Sequence, residues 1–351
     1  MTKIEVIDDE LQTEERLVFE VDPEVKEEFL EKQMKSTRSY YRYILQLADD
    51  FEVKLGKSIY DFNTEERDEL LIVQYKNKNI FAFQSVLSPL KTYVDFCISP
   101  KNLVKHNENR FATILTSNYN EYINPQAQEG SYIPISESRE LQKQLANDQD
   151  KLIIELSSLG VRGRTEKGNT LEELVNLKVK DIKWKTKELY LTKNNGEIRY
   201  IDVDDYTLDL LKRVINQTFY VSNNGLKTKK NDSGEYEKTN RGRAISPTEY
   251  VFRVPGKNRE GKVAYQFFTS RIQRMQGWLE TPYLTSSNLY FSAILDYAKE
   301  KIEEKKAKGE KGELTRDDCI KINERFEFGE NGEKYAFKTK DLVKMYFGNG
   351  E

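Results

Sequence analysis

"LSSLGVRGRTEKGNTLEELVNLKVKDIKW", residues 156–184, decides how the chain is read. Its first five residues end a helical pattern at Gly160, where glycine suits the left-handed position just past a helix. Arg162 follows two residues later, and then a polar segment. Thr170 with Glu173 three residues on has the form of a capping box, so a new helix is expected there. The next stretch, "KELYLTKNNGEIRYIDV", is residues 187–203. Two β-rich runs flank Asn195-Gly196, a strong hairpin signal, and Lys193 lies beside the turn.

Working outward, "ISESRELQKQLANDQDKLIIELSSLG" reads as two helices leading into Gly160, and "TLDLLKRVINQTFYV" as a helix after the hairpin. Residues 222–262 are rich in Gly, Asn and Lys and are expected to form a long loop with one strand near Tyr250–Val254. Helices are expected at about Gln266–Leu279, Ser286–Ala307, Thr315–Arg325 and Lys338–Phe347. Upstream, residues 36–99 read as a compact helical domain. Ser36 is placed as the cap of a helix with Tyr40, Ile44, Leu47, Ala48 and Phe51 inward. Asn63 and Glu66 form a second box-like start. A third helix runs from about Asn79 with Phe83, Val86, Leu87, Leu90, Tyr93, Val94 and Cys97 inward, and Pro89 should kink or divide it. The resulting division is an acidic extension over 1–35, helical from about Asp22, a helical domain over 36–99, a linker over 100–131, and a second unit over 132–348.

Composition narrows the chemistry. The 351 residues include one histidine, His106, and two cysteines, Cys97 and Cys319, which supply no common zinc site and no mechanism needing two imidazoles. No metal or cofactor is expected. The start lacks a secretory h-region and no apolar run approaches 18 residues, so a reducing cytosol is the expected home. The net charge is only −3, but it is segregated. Residues 1–35 carry 12 acidic and 5 basic side chains, whereas residues 226–274 carry 12 basic and 5 acidic. Such a basic stretch fits either a solvated face or a surface that tracks a phosphate backbone.

The order of these motifs resembles the tyrosine recombinases, the phage-integrase family. "STRSYYRYILQLADDFEVKLGKSIYDFNTEERDELL" followed by "FQSVLSPLKTYVDFCIS" is similar to their core-binding domain. "LSSLGVRGRTEKGNTLEELVNLKVKDIKW" is similar to the family's Gly-hydrophobic-Arg, Glu-Leu and Leu-x-x-x-Asp-Ile pattern, interrupted by the insert "GRTEKGN". The resemblance covers about residues 36–348. It implies a mainly α fold with a small β-hairpin or sheet (α+β), arranged as a two-lobed clamp of a helical core-binding domain and a catalytic-like domain.

The family cleaves DNA with a tyrosine nucleophile, two arginines on the transition-state phosphate, a hairpin lysine and histidines. Carried over, Arg162 matches the first arginine and Lys193 the lysine. The His-x-x-Arg box falls on "YLTSSNLYFSAIL", residues 283–295. There Ser287 stands at the histidine position, Tyr290 at the second arginine, and Phe291 in the next polar place. Tyr346, with Tyr335 second, matches the terminal nucleophile, although packing is the favoured explanation of a tyrosine there. Losing one transition-state charge partner costs about 2.7–4 kcal/mol, and several are gone, so little strand cleavage is expected even with non-additivity.

The resemblance therefore implies a catalytically degenerate, sequence-specific DNA-binding transcriptional regulator, similar to the integrase-like repressors of SPbeta-group Bacillus phages. Double-stranded DNA at operator sites is the implied partner, with a protein regulator as a further one. The implied location is the bacterial host cytosol, on the nucleoid. The residues expected to meet DNA are Arg38, Lys76, Lys78, Lys91, Arg162, Lys193, Arg241, Arg243, Lys257, Arg271 and Arg274. Two other functions stay open: a divergent active recombinase using Tyr346, and a protein-interaction module whose DNA binding is incidental.

Overall fold

The computed structural model describes residues 19–77, 80–99, 101–104, 108–163, 171–230, 236–256, 261–327 and 332–347. His106, Lys78, Lys257, Thr170 and most of the 163–169 insert lie outside these residues. The chain divides into two compact units, 1–129 and 130–351.

The first unit is helical. α1 (Pro23–Glu31) begins with a proline at its first position, where the fixed φ favours the helix and no N–H is lost. α2 (Lys35–Leu55) ends at Gly56, which takes the left-handed conformation at φ 65°. α2 starts one residue before the expected Ser36 cap, after Met34, and has no side-chain cap. α3 (Thr64–Glu69) opens on a complete Asn63–Glu66 capping box, as its sequence predicts. α4 (Ile80–Ile98) buries all seven of its expected inward residues. It runs through Pro89 without dividing, because buried Leu87 and Leu90 hold the helix on both sides of the proline.

Two expectations for this unit change. Tyr40 faces solvent, and Leu45 takes a core place beside Ile44. The stretch expected as a linker is largely folded against the helices. Phe111, Ile114, Tyr122 and Ile123 are buried in the same core, and the Phe83 and Tyr122 rings stack at 4.9 Å. Arg67 secures it by donating to the Arg110 carbonyl at 2.7 Å and to Thr113 Oγ1 at 3.1 Å.

The acidic N-terminal segment is also anchored. Lys26 is fully buried, with its Nζ 2.5 Å from both Asp49 Oδ1 and Glu52 Oε2. Asp49 accepts from the backbone N–H groups of Glu20 and Val21, and Glu52 Oε1 from that of Ile59 at 2.7 Å. Burial pushes the Glu52 carboxyl up to about 7, against the pull of Lys26.

The second unit is organised around one buried helix. α5 (Pro125–Ser131) spans the boundary between the units, and α6 (Ile135–Lys143) leads to α7 (Asp148–Ser158), which is buried from Gln149 to its end except at Lys151. α7 carries two acidic residues into the core and each is satisfied. Glu155 accepts from Arg139, Gln142 and Thr207, and Asp150 from Arg271 and Tyr220. The helix expected from Thr170 is short: α8 (Glu172–Asn176) gives way to a 3₁₀ turn and β1 (Ile182–Lys183). β2 (Glu188–Thr192) and β3 (Ile198–Asp202) complete an antiparallel sheet in the order β1-β2-β3. Its register pairs Tyr190 with Tyr200 and Leu191 with Arg199. Successive side chains face opposite ways, so Leu189, Leu191 and Ile201 enter the core while Tyr190 and Tyr200 remain exposed.

After α9 (Asp205–Asn216) the chain holds more strand than its composition predicts. β4 (Phe219–Val221) pairs with β7 (Gly242–Ala244), and β5 (Leu226–Lys230) with β6 (Tyr236–Lys238). The strand expected near Tyr250 is a single bridge to Lys178. The unit closes with α10 (Tyr265–Trp278), α11 (Ser286–Ala307), α12 (Arg316–Phe326) and α13 (Gly332–Phe347). Mainly helical with small antiparallel sheets is thus the fold class. Among the described residues, no helix is long and apolar enough to cross a membrane.

Candidate functional site

The end of α7 sets the site's geometry. Gly160 is left-handed at φ 79°, and a side chain there would strike the Phe326 ring. The turn it permits delivers Arg162 just beyond. Glu173 holds that turn: its Oε2 accepts the Arg162 N–H at 2.8 Å, and its own N–H donates to the Arg162 carbonyl at 3.3 Å. Glu173 is fully buried, and Arg199 of β3 grips it with two hydrogen bonds, from Nε at 2.6 Å and Nη2 at 2.7 Å. Arg199 also donates to the carbonyls of Gly160 and Arg325, so one guanidinium joins α7, α8, β3 and the end of α12. Burial opposes the Arg199 charge, but Glu173 outweighs it and the group stays firmly protonated.

The stretch matched to the His-x-x-Arg box lies on the first turns of α11. Thr285 caps this helix by accepting from the Asn288 N–H at 3.0 Å. Ser287 and Tyr290 are three residues apart and share a face. Arg162 meets both: Nη2 donates to Ser287 Oγ at 3.2 Å, and the guanidinium carbon sits 4.9 Å from the Tyr290 ring centroid. Tyr290 is 5% exposed and donates its hydroxyl to the Phe326 carbonyl at 2.7 Å. Burial raises its pKa, so the phenol stays neutral. An arginine at 290 would add a further cation beside Arg162; the tyrosine instead supplies an aromatic face and a tether to α12.

Lys193 sits in the hairpin turn, where its N–H bonds the Glu197 carbonyl and Gly196 takes φ 88°. Its Nζ is 2.8 Å from Glu197 Oε2 and 2.8 Å from Glu327 Oε2. Burial would lower the lysine pKa, but the two carboxylates more than offset this and raise it. Within the pocket Lys193 and Arg199 are met by Glu173, Glu197 and Glu327, while the Arg162 guanidinium meets Ser287 and Tyr290. A phosphate-cleaving centre concentrates positive charge on the transition state. Here it is balanced.

The other expected residues are dispersed. Tyr346 shares a 2.7 Å hydrogen bond with Ser131 and packs its ring 5.6 Å from that of Tyr132. Burial raises its pKa, and the Ser131 bond only partly counters this, so the hydroxyl is kept as a phenol. Nothing is described for the Tyr335 side chain. In the first unit Lys76 is exposed and Lys91 half-buried, while Arg38 caps the end of α1 through the carbonyls of Glu31 and Gln33. In the second, Arg241, Arg243 and Arg274 are exposed. Arg271, expected at a DNA face, is placed in the core instead: it is 6% exposed, pairs with Asp150 at 2.6 Å and stacks 3.8 Å from the Tyr220 ring centroid.

Four residues of the pocket, Glu173, Glu197, Arg199 and Glu327, were missing from the sequence-based set. Arg199 had a signal, since period-2 alternation along β3 turns it inward between exposed Ile198 and Tyr200. Glu173 was read as a helix cap and acts as the pocket's buried anion. Glu327 carried no signal, because it reaches Lys193 only through the turn that ends α12.

Two family models match this chain: the MrpR N-terminal core-binding domain over residues 20–99 and the MrpR C-terminal catalytic domain over residues 132–347. The chain belongs to the MrpR family. Its MrpR core-binding match takes in α1 as well as α2 to α4. The chain is 28% identical over 202 residues to the SPbeta prophage-derived uncharacterized protein YopR of Bacillus subtilis (strain 168), a match covering 58% of this chain and 60% of that protein. This MrpR-family chain thus spans about three fifths of the length of that relative. Among solved structures, XerA recombinase gives a TM-score of 0.36 at 13% identity, covering 91% of this chain and 92% of its own. The integrase from mycobacterium phage Brujita gives 0.33 at 9% identity, covering 93% and 90%.

Proposed function

We propose that this chain is a sequence-specific DNA-binding regulator, a prophage repressor built on a recombinase-type fold that does not cut DNA. One observation carries the proposal. Ser287 and buried Tyr290 take up the guanidinium of Arg162, and Glu197 and Glu327 take up the ammonium of Lys193. The groups that would stabilise a pentavalent phosphate are held by the protein itself. Phosphate binding asks less than phosphate cleavage: it needs exposed basic groups whose counterions are released. Arg241, Arg243 and Arg274 meet that need in the second unit, and Lys76 in the first. Arg162 and Lys193 would join them once DNA competes for their partners. Operator sites would then be read by base contacts elsewhere.

A nicked suicide duplex tests the loss of cleavage. Denaturing gels should show no covalent protein–DNA adduct with the wild-type chain. An adduct that disappears in Tyr346→Phe would overturn the proposal and make the chain a recombinase. Genome-wide footprinting should find a few discrete sites beside promoters; binding indifferent to sequence would remove the repressor role.

A further inference from the structure

Glu327 is an unusual residue for its position. It follows α12 directly and adopts the left-handed conformation at φ 52°, which glycine or asparagine takes more readily. Ending the helix requires only its backbone: the Glu327 N–H donates to the carbonyls of Asn323 and Glu324. The carboxylate is free to serve something else. It reaches Lys193 Nζ at 2.8 Å and lies 4.0 Å from Arg199 Nε. The lysine's other partner, Glu197, is 62% exposed and is its neighbour in the same hairpin, whereas Glu327 is 31% exposed and comes from a distant helix end. Lys193 itself is only 10% exposed, so its charge is presented inside the pocket. A carboxylate oxygen within hydrogen-bond distance of that ammonium occupies the volume a phosphate oxygen would use.

We propose that Glu327 is a built-in competitor for phosphate at Lys193. The inference rests on the DNA-binding reading above and adds what regulates the pocket. A passing duplex must displace the carboxylate before its phosphate can meet the lysine. Sequence-independent binding comes mainly from phosphate neutralisation, so an internal anion lowers it, while contacts to base edges elsewhere are left intact. The ratio of specific to non-specific affinity rises as a result. Glu327 is therefore a specificity-determining residue through its side chain as well as a cap through its backbone.

The experiment uses the full chain and two variants, Glu327→Gln and Glu327→Gly. Glutamine keeps the shape and removes the charge; glycine also relieves the left-handed backbone, so its fold should be no less stable than the wild type. Fluorescence anisotropy on a random-sequence duplex should show both variants binding up to about 5-fold tighter, the worth of one partly exposed ion pair. Their log–log salt slopes should be steeper by about 0.9, one added phosphate contact. Adding Lys193→Ala to either variant should abolish both gains. Thermal melting with inorganic sulfate gives a readout independent of DNA: sulfate should raise the melting temperature of Glu327→Gln more than that of the wild type. Unchanged slopes in both variants, on a wild-type chain that binds DNA in a salt-sensitive way, overturn the inference alone. A wild-type chain that ignores DNA while Glu327→Gln still gains the sulfate shift overturns the DNA-binding reading and upholds the competition at Lys193.

Discussion

Two charged clusters, one in each unit, show different uses of the same interactions. In the first unit Lys26 is sealed from solvent between Asp49 and Glu52. Two carboxylates share one ammonium, and backbone N–H groups satisfy the remaining oxygens. Such a cluster fixes one arrangement, tying residues 19–26 to α2, and offers nothing to a ligand. In the second unit Lys193 and Arg199 face three carboxylates, and of these only Glu173 is fully buried. Its outer members can exchange partners. Burial thus decides whether a charged cluster is architecture or a place where something binds.

The sharpest way to break this contrast is Lys26→Met. Removing the cation leaves two carboxylates buried without it, which should cost about 3–5 kcal/mol. Urea unfolding of the full chain would show this as early loss of the first unit. A loss below about 1 kcal/mol would mean that the cluster is open to water.

The second test is pH. Glu52 is raised to about 7 in the folded protein, against 4.5 for the free group. The folded state therefore holds the extra proton. This contribution is fully present below pH 4.5 and is lost as pH rises through 7. Its size is at most on the order of 3 kcal/mol. Glu52→Gln should flatten that part of the stability–pH curve, measured as the difference from wild type so that oppositely shifted groups such as Glu66 cancel. Parallel curves would show that Glu52 ionises normally.

Tyr290→Phe moves to the pocket. It leaves the packing and removes the hydrogen bond to the Phe326 carbonyl, so the second unit should lose about 0.5–1.5 kcal/mol. No change in unfolding midpoint would show that the tether is idle. The smallest effect belongs to a pair outside both clusters. Lys187 and Asp205 have side chains 50% and 84% exposed, and Lys187→Ala should stay within about 0.5 kcal/mol of wild type in the same assay.

The parts legible in the sequence were those decided locally. Gly160, the Asn63–Glu66 box and the Asn195-Gly196 turn each depend on neighbours a few residues away, and all three appear as their residue types predict. The same holds for the identity of Ser287 and Tyr290, which are read directly from a motif position. Partners brought together by the fold were not legible. Arg199 finds Glu173 because the hairpin register turns it inward, and Glu327 finds Lys193 because α12 ends where it does. Arg271 shows a signal that was present and outweighed. It lies on the face of α10 that buries Phe268, Ile272 and Met275, so helical spacing pointed it into the core despite its charge. The stretch over 108–123 misled for a different reason: its polar composition hides four well-spaced apolar residues that join an existing core rather than making one.

The Tyr290 hydroxyl carries one more consequence, which concerns what its position tolerates. Its bond to the Phe326 carbonyl links α11 to the last residue of α12, immediately before Glu327. An arginine at position 290 would cut that link, set a second guanidinium against Arg162 and disturb the turn that aims Glu327 at Lys193. Such a change would loosen α11 from the end of α12 and free the turn before Glu327. The hydroxyl works as a latch between two helix ends, and the pocket's charge pairing depends on it being closed.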